Sequence, residues 1–88
     1  MTEQLMMMPS VEGIKALIKP SWFEVSRPMP QGSFFLETRD GWDGGDAPNP
    51  RNLTEARRVV SILRQAYPEW RVMPEVVDEW VIIEIKRR

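Results

Sequence analysis

The chain has 88 residues, with no cysteine and no histidine. No disulfide can form, thiolate and imidazole metal centres are ruled out, and Ser-His-Asp, Cys-His and histidine acid–base catalysis are excluded. Twelve basic and thirteen acidic residues give a net charge of −1, too weak a field to draw the whole chain onto nucleic acid or a membrane surface.

One domain is expected at this length, burying roughly 60–65% of the surface its unfolded chain exposes. Apolar residues at 42% and charged residues at 28% are ordinary for a globular domain. Eight prolines imply short elements with frequent stops, and four tryptophans imply large rigid side chains in a thin core. The halves differ in charge: residues 1–50 carry four basic and seven acidic residues, a balance of −3, and residues 51–88 carry eight and six, a balance of +2. No apolar run approaches the ~20 residues of a membrane span. Met1–Met8 lacks the basic region and apolar length of a signal peptide, so a cytoplasmic location without membrane contact is the expectation.

Residues 1–9 read as a flexible tail ending at Pro9, and residues 10–88 as a single α+β domain. Ser10 caps a short helix in which Val11, Ile14, Leu17 and Ile18 fall at helical spacing, stopped by Pro20. Gly13 weakens that helix, and a strand through Ile14–Ile18 is the alternative. Trp22–Ser26 reads as a strand, the segment from Arg27 to Gly32 as a turn, and Ser33–Arg39 as the second strand of a hairpin. Residues 40–52 form a long acidic, glycine-containing loop. The clearest helix spans about 53–67, with Asn52 and Glu55 in a variant capping box and Thr54 as a second cap. Ala56, Val59, Val60, Ile62, Leu63, Ala66 and Tyr67 share one arc of it. Arg57, Arg58, Ser61, Arg64 and Gln65 share the other. Pro68 ends this helix, and Trp70–Met73 begins a third strand that Pro74 confines to an edge or breaks. Asp78-Glu79 turns into a fourth strand, Trp80–Ile85, whose two apolar faces predict a central strand covered on both sides. The expected architecture is ββαββ: a mostly antiparallel four-stranded sheet under one main amphipathic helix, with a short N-terminal helix as an addition.

Two surfaces stand out as candidate sites. In the loop, Asp40, Trp42, Asp43 and Asp46 combine an aromatic anchor with flanking charge, and the glycines let a partner approach the backbone. The alternative folds Trp42 back over the sheet. The aspartate spacing does not match a calcium loop, since Arg51 falls in the region where the closing glutamate belongs. The second surface is the arginine face, Arg51, Arg57, Arg58 and Arg64, extended by Lys86, Arg87 and Arg88. Such a row supplies phosphate contacts for nucleic acid. Its structural alternative is a solvated face whose arginines pair with Glu69, Glu75 or Glu84.

No residues mark a catalytic, cofactor or metal site. The carboxylates Glu75, Asp78, Glu79 and Glu84 form no recognisable acid–base pair, and no glycine motif cradles a phosphate, so neither an enzyme nor a small-molecule substrate is expected. Large apolar residues outnumber what one helix can cover on one sheet face. Either residues 10–20 fold back as a second layer, or two copies pair through a sheet edge or face as a homodimer. The leading functional expectation is a non-catalytic protein-binding module, an adaptor or small inhibitor of the kind found among bacterial or phage accessory proteins, working through the Trp42 loop. A nucleic-acid-binding accessory protein and a structural subunit of a homo-oligomer are the alternatives.

Overall fold

The computed structural model describes residues 8–39 and 47–88. In chain order its elements are α1 (Val11–Ile18), β1 (Glu24–Val25), β2 (Phe34–Arg39), α2 (Pro50–Ala66), β3 (Trp70–Val77) and β4 (Trp80–Arg87). The strands form one antiparallel sheet in the order β1-β2-β4-β3. The α+β class and the ββαββ order with a preceding helix are therefore as the sequence predicts. Because β4 pairs with both β2 and β3, it slots between the two strands that α2 connects.

Ser10 begins α1, its hydroxyl accepting from the Gly13 N–H at 3.0 Å. Gly13 weakens helix propensity, but its missing side chain leaves room for the capping hydroxyl: a Cβ there would lie 3.0 Å from Ser10 Oγ. The strand alternative through Ile14–Ile18 is thereby replaced by a helix that buries Ile14 and Ile18.

β1 is shorter than the predicted Trp22–Ser26, because Trp22 leaves the ladder and its indole N–H donates to the Asn52 side chain on α2. At the other end Ser26 continues the pairing, its N–H donating to the Phe35 carbonyl at 2.8 Å and its hydroxyl accepting from the Phe35 N–H. The hairpin turn is built on Pro30 and closes with the Gly32 N–H on the Met29 carbonyl at 2.7 Å. Gly32 there takes φ +92°, a conformation that favours glycine.

α2 begins three residues earlier than predicted, so the expected 40–52 loop ends at Asn49. Asn49 is the cap, its side chain accepting from the Arg51 N–H at 2.9 Å, and Pro50 occupies the first helical position, where no N–H is missed. Asn52, the expected cap, is instead buried at the third helical position and receives Trp22. The predicted apolar arc is the buried one: Ala56, Val59, Val60, Leu63 and Tyr67 lie in the core, and the opposite arc is exposed. Pro74 sits within β3 rather than ending it, which its edge position permits.

The helices share one face of the sheet. α1 packs on α2 and β1, while α2 lies over β3 and β4. Strands about 4.8 Å apart make a four-stranded face roughly 15–20 Å wide, and one helix covers about 10 Å of it. Residues 10–20 do fold back, supplying the second helix this width requires. Between the layers lie Leu36, Leu63, Val59 and Ile83, each fully shielded from solvent.

The prediction that β4 is covered on both sides is corrected. Val81, Ile83 and Ile85 are buried beneath the helices, but no element among the described residues lies over Trp80, Ile82 and Glu84. Their half-burial comes from neighbours within the sheet. Ile82 stands between Glu37 and Glu75, and Trp80 between Arg39 and Val77, with the Arg39 guanidinium 5.6 Å from the Trp80 ring centre.

Candidate functional site

The predicted loop residues Asp40, Trp42, Asp43 and Asp46 lie outside the described residues. The predicted arginine face is described, and it is not one surface. Arg51 and Arg58 are seven residues apart, as are Arg57 and Arg64, so each pair stacks on one side of α2, about 120° from the other pair. Arg51 and Arg58 serve the fold. Arg51 lies 5.6 Å from the centre of the Trp22 ring. Arg58 pairs with Glu55 at 2.7 Å and donates to the Ile18 carbonyl at 2.7 Å, tying the end of α1 to α2. The Arg58 guanidinium holds the Glu55 carboxyl below the usual carboxylate range despite its burial, and Glu55 raises Arg58 in turn. The expected partners Glu69, Glu75 and Glu84 are not used. Among the described residues the ion pairs are Arg58 with Glu55 and Arg39 with Glu79.

Arg57 and Arg64 turn the other way, toward β3. α2 and β3 are both about 25 Å long, but α2 does not cover the distal half of the strand. Trp70 and Val72 are buried beneath α2, whereas Pro74 and Val76, which alternate onto the same face, are exposed. The space left is a groove of about 630 Å³ in which Leu53, Ala56 and Val60 of α2 face Pro74 and Val76 of β3. Arg57 and Arg64 stand on its rim. Val76 is 49% exposed, so an apolar wall of the groove faces water.

Arg64 also lines a second hollow, of about 400 Å³, which continues along the outer edge of β3 past Trp70 and Val72 and is bounded by Arg71 and Arg88. The charge gathers there through strand register. The two-residue turn at Asp78-Glu79 pairs Arg71 with Lys86 and Trp70 with Arg87. The Arg87 guanidinium sits 5.7 Å from the Trp70 ring centre. Arg64, Lys86, Arg87 and Arg88 of the predicted basic set thus meet at one end of the sheet, joined by Arg71, while Arg51, Arg57 and Arg58 do not. Arg71 was missed as a site residue, although counting back from the predicted turn pairs it with Lys86. The groove had no sequence signal, because it depends on how the helix lies across the strand.

The backbone of the β3 edge is already partly satisfied. A two-residue hairpin makes Val77 and Trp80 a hydrogen-bonded pair, so residues 76, 74, 72 and 70 point their backbone groups outward, away from β4. Pro74 has no N–H to offer, and the Val72 carbonyl accepts from the Arg64 guanidinium at 2.9 Å. The Trp70 N–H donates to the Tyr67 carbonyl at 3.0 Å. At the opposite edge β1 is only two residues long. Both edges are blunted against pairing with another strand.

Elsewhere, burial pushes the Tyr67 phenol above its ordinary value. Asn52 Nδ2 is buried without a partner among the described residues. No group of three potential metal-ligating side chains occurs among the described residues. No helix among them is long and apolar enough to cross a membrane. Comparison with protein-family models, curated proteins and solved structures gave no match to this chain.

Proposed function

We propose that this chain is a non-catalytic protein-binding module, an adaptor or small inhibitor, and that it holds its partner in the groove between α2 and the distal half of β3. One observation carries this reading: the groove has an apolar floor and a cationic rim, and the two helices complete the core without closing it. An apolar cleft bordered by guanidinium groups offers a partner both burial and orientation, the combination that marks binding surfaces. We place its action in the cytoplasm, since a cysteine-free chain needs no oxidising compartment to fold.

The test is selection of a displayed random-peptide library on the immobilised full chain, followed by binding of the selected peptides to variants. Val76→Glu puts a carboxylate into the groove at an exposed position and weakens them at least about tenfold, the effect of roughly 1.4 kcal/mol. Trp42→Ala reports on the acidic loop instead. Peptides lost only in Trp42→Ala move the binding function from the groove to the loop. A library that yields no binder, or binders indifferent to both changes, overturns the reading.

A further inference from the structure

We infer that the groove's partner is an acidic–apolar protein segment lying lengthwise along the β3 edge. Its apolar residues occupy the groove beside Pro74 and Val76. Its acidic residues reach the hollow between Arg64, Arg71 and Arg88. This rests on the groove reading above and adds to it the partner's chemistry and direction of lie.

Three observations converge. The groove and the hollow share Arg64 and follow the same strand edge, so one occupant can touch both. The hollow is lined by three arginines, Arg64, Arg71 and Arg88, a residue type whose planar fork of donors matches carboxylates closely. The third observation is the backbone inventory of the edge. Among its outward-facing positions, Val76 still offers both an N–H and a carbonyl, whereas Pro74 has no donor and the Val72 acceptor is taken by Arg64. A segment can therefore make both strand hydrogen bonds to one residue only beside Val76. Toward Trp70 it is held by side chains, and the side chains waiting there are arginines. From Val76 to Trp70 the strand covers about 20 Å at ~3.3 Å per residue, so the occupant is about six or seven residues long.

Nucleic acid fits the same surface less well. The aromatic ring beside these arginines, Trp70, is only 7% exposed and lies under Arg87, so it presents no face for a base to stack on. An apolar groove also gives a phosphodiester backbone nothing to bind.

The experiment uses the full chain and three fluorescent probes: a short valine–leucine peptide joined to a run of glutamates, in both orders; the same peptides with glutamine for glutamate; and single-stranded oligothymidylate. Fluorescence anisotropy is read at low and high salt for the wild type and for Arg71→Glu, Arg88→Glu and Val76→Glu. All three positions are exposed, and far-ultraviolet circular dichroism checks the fold. The expected result is that at least one glutamate peptide binds about tenfold more tightly than its glutamine counterpart at low salt, with the gap narrowing as salt screens the charges. Arg71→Glu and Arg88→Glu remove most of that gap, and Val76→Glu weakens both peptide types. Equal binding of glutamate and glutamine peptides overturns the acidic partner but leaves the groove reading standing. Binding that ignores Val76→Glu, or no peptide binding at all, overturns both. Oligothymidylate binding tighter than any peptide and lost in Arg71→Glu overturns the inference in favour of nucleic acid.

Discussion

Replacing Ile14 by alanine tests whether α1 is a structural half of the helical layer or an appendage. Ile14 is fully shielded and Leu17, one turn on, is 38% exposed, so the same helix supplies its own control. Ile14→Ala removes about three methyl or methylene groups, roughly 2.4 kcal/mol at ~0.8 per group. The incomplete collapse of the site adds about 1 kcal/mol, giving a total near 3–3.5 kcal/mol, within the range for buried isoleucine truncations. A domain of this size has a total stability of roughly 4–13 kcal/mol, so the change removes a large share of it. In urea denaturation, with a slope of roughly 1 kcal/mol per molar, the midpoint falls by about 3 M. Leu17→Ala, at a position already 38% exposed, costs about 1.5 kcal/mol at the same rate, with no cavity to add. An Ile14 loss below about 1 kcal/mol, or one no larger than at Leu17, would show that the sheet does not depend on α1.

Other expectations concern the cap, the Glu55–Arg58 ion pair and the sheet edge. Asn49→Ala costs about 1 kcal/mol as the true cap of α2, while Thr54→Ala stays within about 0.5 kcal/mol; denaturant midpoints reversed in order would restore the later helix start. The Glu55 carboxyl is lowered in the folded state below its ordinary value of 4.5, so its contribution is present above that pH and is lost as pH falls through the lower folded value. Glu55→Gln therefore loses stability less steeply on acidification than the wild type, and parallel urea-midpoint curves below pH 5 would contradict the pairing. Arg64→Ala combined with Pro74→Val frees the Val72 carbonyl and adds an edge N–H, so concentration-dependent association rises in sedimentation velocity; sedimentation unchanged from the wild type would show that these residues do not guard the edge.

Much of the fold was legible in local chemistry. The 53–67 periodicity located α2 because an amphipathic stripe reads the same in sequence and in packing, and Pro68 marked its end. The hairpin turns were legible at Gly32 and at Asp78-Glu79 because turn conformations depend on a few residues. The start of α2 was misplaced because Asn49 and Asn52 are equally able to cap. What separated them is Trp22, thirty residues away, whose indole occupies the Asn52 side chain. The arginine face misled for a related reason. A helical wheel groups residues by distance from the apolar stripe, and it does not say which flank faces α1 and which faces β3.

The sequence by itself determined the chemistry open to this protein: no thiol, no imidazole, a balanced charge, an amphipathic helix and strands of the right length. These properties are local or additive, so they survive without coordinates. Tertiary structure decided how those parts meet. It committed Arg58 to holding α1 and set Arg51 against Trp22, turned Arg57 and Arg64 toward β3, and gathered Arg71, Lys86, Arg87 and Arg88 at one end through register. It also left Val76 uncovered by α2. The groove is the space between one flank of a helix and the strand beside it, and that space exists only once the two have packed.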